Sequence, residues 1–165
     1  MTSNYQKIKG IILRLNQVDS IKNKIIIVGG TVPYLVSKKE SNREHSDIDV
    51  NFAPYELTGN GMIQRNFLTR QSSGIDALAT VTMKIMDVNM VFAETCMDGT
   101  AIHTYSLEMV KIMKEKSKKK KDAADIRVID DFGYDEDIYS ALKQQLKDMK
   151  FKIEPGNKFL KLFFR

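Results

Sequence analysis

Apolar residues recur at three- and four-residue spacing over residues 4–18, at Tyr5, Ile8, Ile11, Ile12, Leu15 and Val18. That period predicts an amphipathic helix with one core-facing stripe. The pattern then changes. Lys24-Ile-Ile-Ile-Val28 is a short β-branched run ending at two glycines, which reads as a buried strand and a tight turn. A helix is expected next, with Thr31 as its N-cap and Pro33 in its first turn, where a missing N–H costs little. Residues 38–45 are polar without period and read as a loop. Ser46-Asp-Ile-Asp-Val-Asn-Phe52 alternates polar and apolar, as a strand with two different faces does.

Beyond this strand the pattern is weaker. Residues 55–70 suggest a helix interrupted near Gly59-Asn-Gly61. Ile75–Met83 and Lys84–Phe92 suggest two adjacent strands, and residues 93–104 a loop. Helical spacing returns at Ser106–Met113, with Ser106 as cap. It continues over Asp122–Phe132 through Ala123, Ile126 and Ile129, with Asp122 as the expected N-cap, and over Asp135–Met149. Pro155-Gly156 breaks the chain before the apolar tail 159–164, which is expected to dock on the body. Strands cluster before residue 92 and helices after 105, so an α+β fold is expected. Residues 1–104 form the expected core, and residues 105–165 a C-terminal helical extension packed on it as one compact unit.

Composition narrows the class. The 165 residues are 42% hydrophobic and 28% charged, enough for a core without disulfides or structural metal. The net charge of +5 suits an anionic ligand. A single cysteine, Cys96, excludes an intrachain disulfide and suits a reducing cytoplasm; a semi-buried loop thiol without a catalytic role is expected. The N-terminus lacks an apolar signal core, and no run approaches the roughly 20 apolar residues of a membrane helix. A soluble cytoplasmic chain is therefore expected.

The chemistry centres on Asp47 and Asp49. Two apart on a strand, their side chains share a face. Adjacent carboxylates repel unless a cation sits between them, and hard oxygen ligands on one face suit Mg²⁺. A third acid on a neighbouring strand would allow two ions roughly 3.5–4 Å apart, the arrangement for in-line attack on phosphorus. Asp87, a lone acid in an apolar stretch, is the candidate. Such acids also occur on solvated sheet faces. The turn upstream adds weight: Gly29-Gly30 permits positive φ and close approach of a ligand, and Thr31 opens a helix whose free N–H groups attract phosphate.

Val28-Gly-Gly-Thr31 followed by Arg43-Glu-His-Ser-Asp-Ile-Asp-Val50 resembles the polymerase-beta-like nucleotidyltransferase superfamily, over roughly residues 24–92. The branch it is most similar to is the small bacterial one of antibiotic nucleotidyltransferases and abortive-infection toxins. The resemblance implies a mixed sheet flanked by helices with a short C-terminal helical part. Gly29, Gly30 and Thr31 would contact the triphosphate. Asp47, Asp49 and Asp87 would hold magnesium, two ions in all, with Asp87 a possible base for the acceptor hydroxyl. Lys121-Asp122-Ala-Ala-Asp125 resembles a Lys-Asp-x-x-Asp helix start in the same branch, where Lys121 would neutralise phosphate charge or stand as solvated loop charge. Arg43 and His45 would reach phosphate or base, or form an exposed loop pair.

The implied activity is magnesium-dependent transfer of a nucleoside monophosphate from a nucleoside triphosphate to a hydroxyl, with release of pyrophosphate. The acceptor is a small molecule, a protein or an RNA end. The basic run 114–121 leans toward a polyanion but lacks interleaved aromatics. The alternative is a catalytically silent module of the same fold that binds a nucleotide or a partner protein.

Overall fold

The computed structural model describes residues 4–17, 25–41, 45, 48–52, 60–64, 67–71, 88–117 and 119–152. In chain order these form α1 (Asn4–Asn16), β1 (Ile25–Ile27), a 3-10 turn (Gly29–Thr31) and α2 (Val32–Ser37). Then come β2 (Ile48–Phe52), β3 (Asn60–Gln64), β4 (Phe67–Gln71), α3 (Val88–Val91), β5 (Phe92–Met97) and β6 (Thr100–Tyr105). Three helices follow, α4 (Leu107–Ser117), α5 (Asp122–Phe132) and α6 (Glu136–Lys152).

The six strands make one mixed sheet in the order β4-β3-β2-β1-β6-β5. β1 lies inside it, antiparallel to β2 and parallel to β6. Its unbroken isoleucines match burial on both faces: Ile26 and Ile27, successive and therefore on opposite faces, are both fully buried. Helix α1 turns Tyr5, Ile8 and Ile12 into the same core, which Leu35, Val50, Ile102, Val110, Ile129 and Leu142 also share. The fold is α+β, a mixed sheet flanked by helices. Helix α2 packs on α4 and α5, and α4 packs on α5 and α6.

Three expectations are corrected. A helix over residues 55–70 is replaced, over 60–64 and 67–71, by the antiparallel pair β3–β4. A helix there would carry Gly61 in its interior at about 1 kcal/mol. It would also leave the outer edge of β2 unpaired, whereas β3 supplies that edge with partners from Ile48↔Ile63 to Asn51↔Asn60. The loop expected over 93–104 is a hairpin, β5–β6, closed by Asp98 (φ 49) and Gly99 (φ 76). Two successive positive φ values are the geometry of a type I′ turn, and Asp-Gly is a preferred pair for it. Cys96 therefore lies on a strand, exposed, instead of in a semi-buried loop.

The strand expected over Lys84–Phe92 is helical at Val88–Val91 and becomes extended only at Phe92, where pairing with Tyr105 begins. Ser106 occupies the carbonyls before that point: its N–H donates to the Val91 carbonyl at 2.8 Å and its hydroxyl to that of Met90 at 2.7 Å. Ser106 also caps α4 as expected, its Oγ accepting from the Met109 N–H at 3.2 Å. Removing one hydroxyl thus frees two backbone groups. Ser106→Ala is expected to lower stability by about 1–2 kcal/mol, read as a shifted urea midpoint with unchanged slope.

The expectations for residues 75–87, which include Asp87, for Arg43 and Asp47, and for the tail 159–164 lie outside the described residues. Among the described residues no helix is long and apolar enough to cross a membrane.

Candidate functional site

The site is built where β1 ends. Ile27 pairs with Val50 of β2, and the next N–H, that of Val28, donates to the Asp49 carbonyl at 2.9 Å. The chain then turns at Gly29 with φ +73, a left-handed conformation that costs a residue bearing a Cβ about 1–2 kcal/mol. The space beside the turn is also occupied. A Cβ built on Gly29 would stand 2.7 Å from Asp49 Oδ2. The glycine turn and the acidic strand, separate in sequence, are one structure in which the Asp49 carboxylate rests against turn backbone. Asp49 itself is exposed, on the antiparallel register Asp49↔Met62.

Thr31 was expected to cap the helix with its hydroxyl. It does not, because a 3-10 turn precedes α2 and Thr31 already has helical dihedrals. Its side chain is 2% exposed, and Oγ1 has no hydrogen-bond partner among the described residues. A buried hydroxyl without a partner is uncommon, since it forgoes water without replacement. Gly30 completes the turn, half-buried.

His45, at the entry to the acidic strand, is half-buried and held from two directions. Its Nε2 shares a 2.9 Å hydrogen bond with Ser41 Oγ, and its ring meets that of Tyr34 edge-on with centroids 5.3 Å apart. The reading of His45 as an exposed loop residue is thereby corrected.

The Lys-Asp-x-x-Asp segment folds differently from the expectation. Lys121 is exposed just before α5, and Asp122 is the first residue of that helix, not its cap. The stripe that α5 buries is Asp122, Asp125 and Ile129, while Ala123 is exposed. Two acids three apart share that helical face, and they need a cation. Lys114 of α4 supplies it, 2.7 Å from Asp122 and 2.9 Å from Asp125. The Ser117 hydroxyl also donates to Asp122, and the Tyr34 hydroxyl donates to Asp125 at 3.1 Å. Burial alone would lower the Lys114 pKa. The hydrogen bonds and charges of Asp122 and Asp125 outweigh it and hold the ammonium above its ordinary range.

Lys114, Ser41 and Tyr34 carry no motif that marks them in the sequence, and Asp125 stands there only as the last residue of the Lys-Asp-x-x-Asp segment. The pairing of acids at positions 122 and 125 in line with Ile129 is the signal that marks a buried, cation-demanding face. Lys114 was hidden as the first residue of a basic run whose members Lys116, Lys119, Lys120 and Lys121 are all exposed.

Of the three acids expected to hold metal, Asp49 is described; among the described residues no group of three or more His, Cys, Asp or Glu stands together. No protein-family model, curated protein or solved structure matches the chain.

Proposed function

We propose that the chain is a magnesium-dependent nucleotidyltransferase of polymerase-beta-like fold, transferring a nucleoside monophosphate from a triphosphate to a hydroxyl acceptor. The observation that carries this reading is the contact between Gly29 and Asp49. A carboxylate held against a bare glycine turn sets a metal-binding oxygen beside backbone that a phosphate chain can approach closely. The donor chemistry fits: Asp49, together with Asp47 and Asp87, offers hard oxygen ligands of the kind Mg²⁺ selects. Bound there, magnesium would neutralise phosphate charge and polarise the reacting phosphoryl group. Gly29 and Gly30 would let the triphosphate lie against the turn, and the Thr31 hydroxyl, without a partner among the described residues, would have a hydrogen bond to give. The exposed lysines 116, 119, 120 and 121 support an acceptor with negative charge.

Thermal melting with ATP, GTP, CTP and UTP, each with and without Mg²⁺, tests the reading. At least one triphosphate is expected to stabilise the chain only when magnesium is present. At a hundredfold excess over Kd the gain is about 2.7 kcal/mol, or roughly 5–10 °C for a chain of this size. The double variant Asp47→Asn/Asp49→Asn is expected to lose that response, and to melt slightly higher than wild type in metal-free buffer because like charges no longer repel. No magnesium-dependent response to any of the four triphosphates rejects the proposal. Release of labelled pyrophosphate in the presence of an acceptor panel separates transfer from silent binding.

A further inference from the structure

Tyr34 connects the buried charges of α4 and α5 to the candidate site. Tyr34 is 3% exposed and sits in α2, directly after the glycine turn. Its hydroxyl is bonded to Asp125, which is fully buried and ion-paired with Lys114. Its ring makes a T-shaped contact with the imidazole of His45, two residues before Asp47 in sequence. Ser41 fixes the same imidazole at Nε2.

We propose that Tyr34 is a positioning residue. Anchored by the Lys114–Asp125 pair, it fixes the placement of the His45 ring. The inference rests on the nucleotidyltransferase reading and deepens it by adding residues that touch neither metal nor nucleotide. The physical case is one of restraint. A tyrosine in a core needs a partner for its hydroxyl, and many acceptors would serve. Here the acceptor is a carboxylate that is itself held by a lysine between two acids, so the hydroxyl end of the side chain, and with it the ring's long axis, is held in place. The contact with His45 at 5.3 Å depends on where that axis lies, because the attraction between two rings falls off as their centroids separate. A phenyl ring at position 34 would keep the packing and lose the anchor.

The chain holds only two histidines, which makes the test direct. Imidazole proton and nitrogen resonances of His45 and His103 are recorded in wild type, Tyr34→Phe and Asp125→Asn, with His103→Gln assigning the pair. Affinity for the stabilising triphosphate with magnesium is measured on the same samples. The His45 signals are expected to move in both variants while those of His103 stay, and affinity to fall roughly three- to tenfold. Unchanged His45 signals in both variants overturn the proposal. So does a moved signal with wild-type affinity, which leaves the nucleotide reading intact. If wild type binds no triphosphate, that reading falls and the positioning role with it, and the His45 signals still report whether the linkage exists.

Discussion

On the proposed function, replacing Gly29 with alanine is expected to weaken magnesium-dependent triphosphate binding at least tenfold while costing little more stability than the same change at a neutral site. Gly99 provides that site. It has φ +76 against +73 at Gly29, so alanine pays the same backbone cost of about 1–2 kcal/mol at each. The surroundings differ. Nothing lies within 4 Å of a Cβ at Gly99, whereas a Cβ at Gly29 would meet Asp49 Oδ2 at 2.7 Å. The atom in the way is the tip of an exposed side chain, with Asp49 Cγ and Cβ both at a comfortable 3.5 Å. The clash is therefore relieved by rotating the carboxylate away, at small cost in folding free energy. What is lost is the position of the oxygen. Urea denaturation is expected to place the two variants within about 1 kcal/mol of each other. Triphosphate titration in magnesium should show at least a tenfold weaker Kd for Gly29→Ala alone, about 1.4 kcal/mol of binding free energy. Equal affinities for Gly29→Ala and Gly99→Ala would show that the Gly29–Asp49 contact has no part in binding.

Most of the helices were legible because their signals are local. The spacing of Tyr5, Ile8 and Ile12 marks α1, Ser106 caps α4, and Asp135 begins the last helix, its carboxylate accepting from the Asp137 and Ile138 N–H groups. β1 and β2 were legible for the same reason, since an isoleucine run and a strict alternation each fill one strand. The misread stretches fail for two distinct reasons. At Met97-Asp98-Gly99-Thr100 the signal was present, because Asp-Gly between two six-residue runs is a hairpin by turn chemistry, and the polar residues Glu94 and Thr95 masked it. At residues 60–71 little local signal existed. Those strands form because β2 has an edge to satisfy, a demand that appears only once the sheet is assembled.

The candidate site divides in the same way. The ordered series of glycine turn and acidic strand could be read directly, and the fold brings Gly29 and Asp49 together. The contribution of α4 and α5 could not. Lys121 stands next to its acids in sequence, yet a residue just before a helix faces solvent, and the cation that reaches them comes from Lys114, eight positions upstream on another helix. Adjacency along the chain was a poor guide to which lysine would be buried; the helical face shared by Asp122 and Asp125 was the better one.

Lys114 is also where the largest loss of stability is expected. The Lys114→Met variant keeps the volume and most of the packing of the stem but leaves Asp122 and Asp125, 3% and 0% exposed, without their cation. The hydroxyls of Ser117 and Tyr34 also bond these acids, and a hydroxyl does not balance a negative charge. Breaking a buried pair from one side costs about 3–5 kcal/mol, mostly because the surviving charge stays desolvated. The pH dependence identifies the cause. In wild type the Lys114 pKa is raised on folding, so its contribution is fully present below the unfolded value of 10.5 and is lost as pH rises through the higher folded value. The variant lacks that alkaline loss. Adding Asp122→Asn and Asp125→Asn to Lys114→Met removes both surplus charges, and at least half of the lost stability should return at neutral pH. A single variant that unfolds within about 1 kcal/mol of wild type, with the same alkaline loss of stability, would mean that these three side chains are not the buried charge cluster their distances and exposure describe.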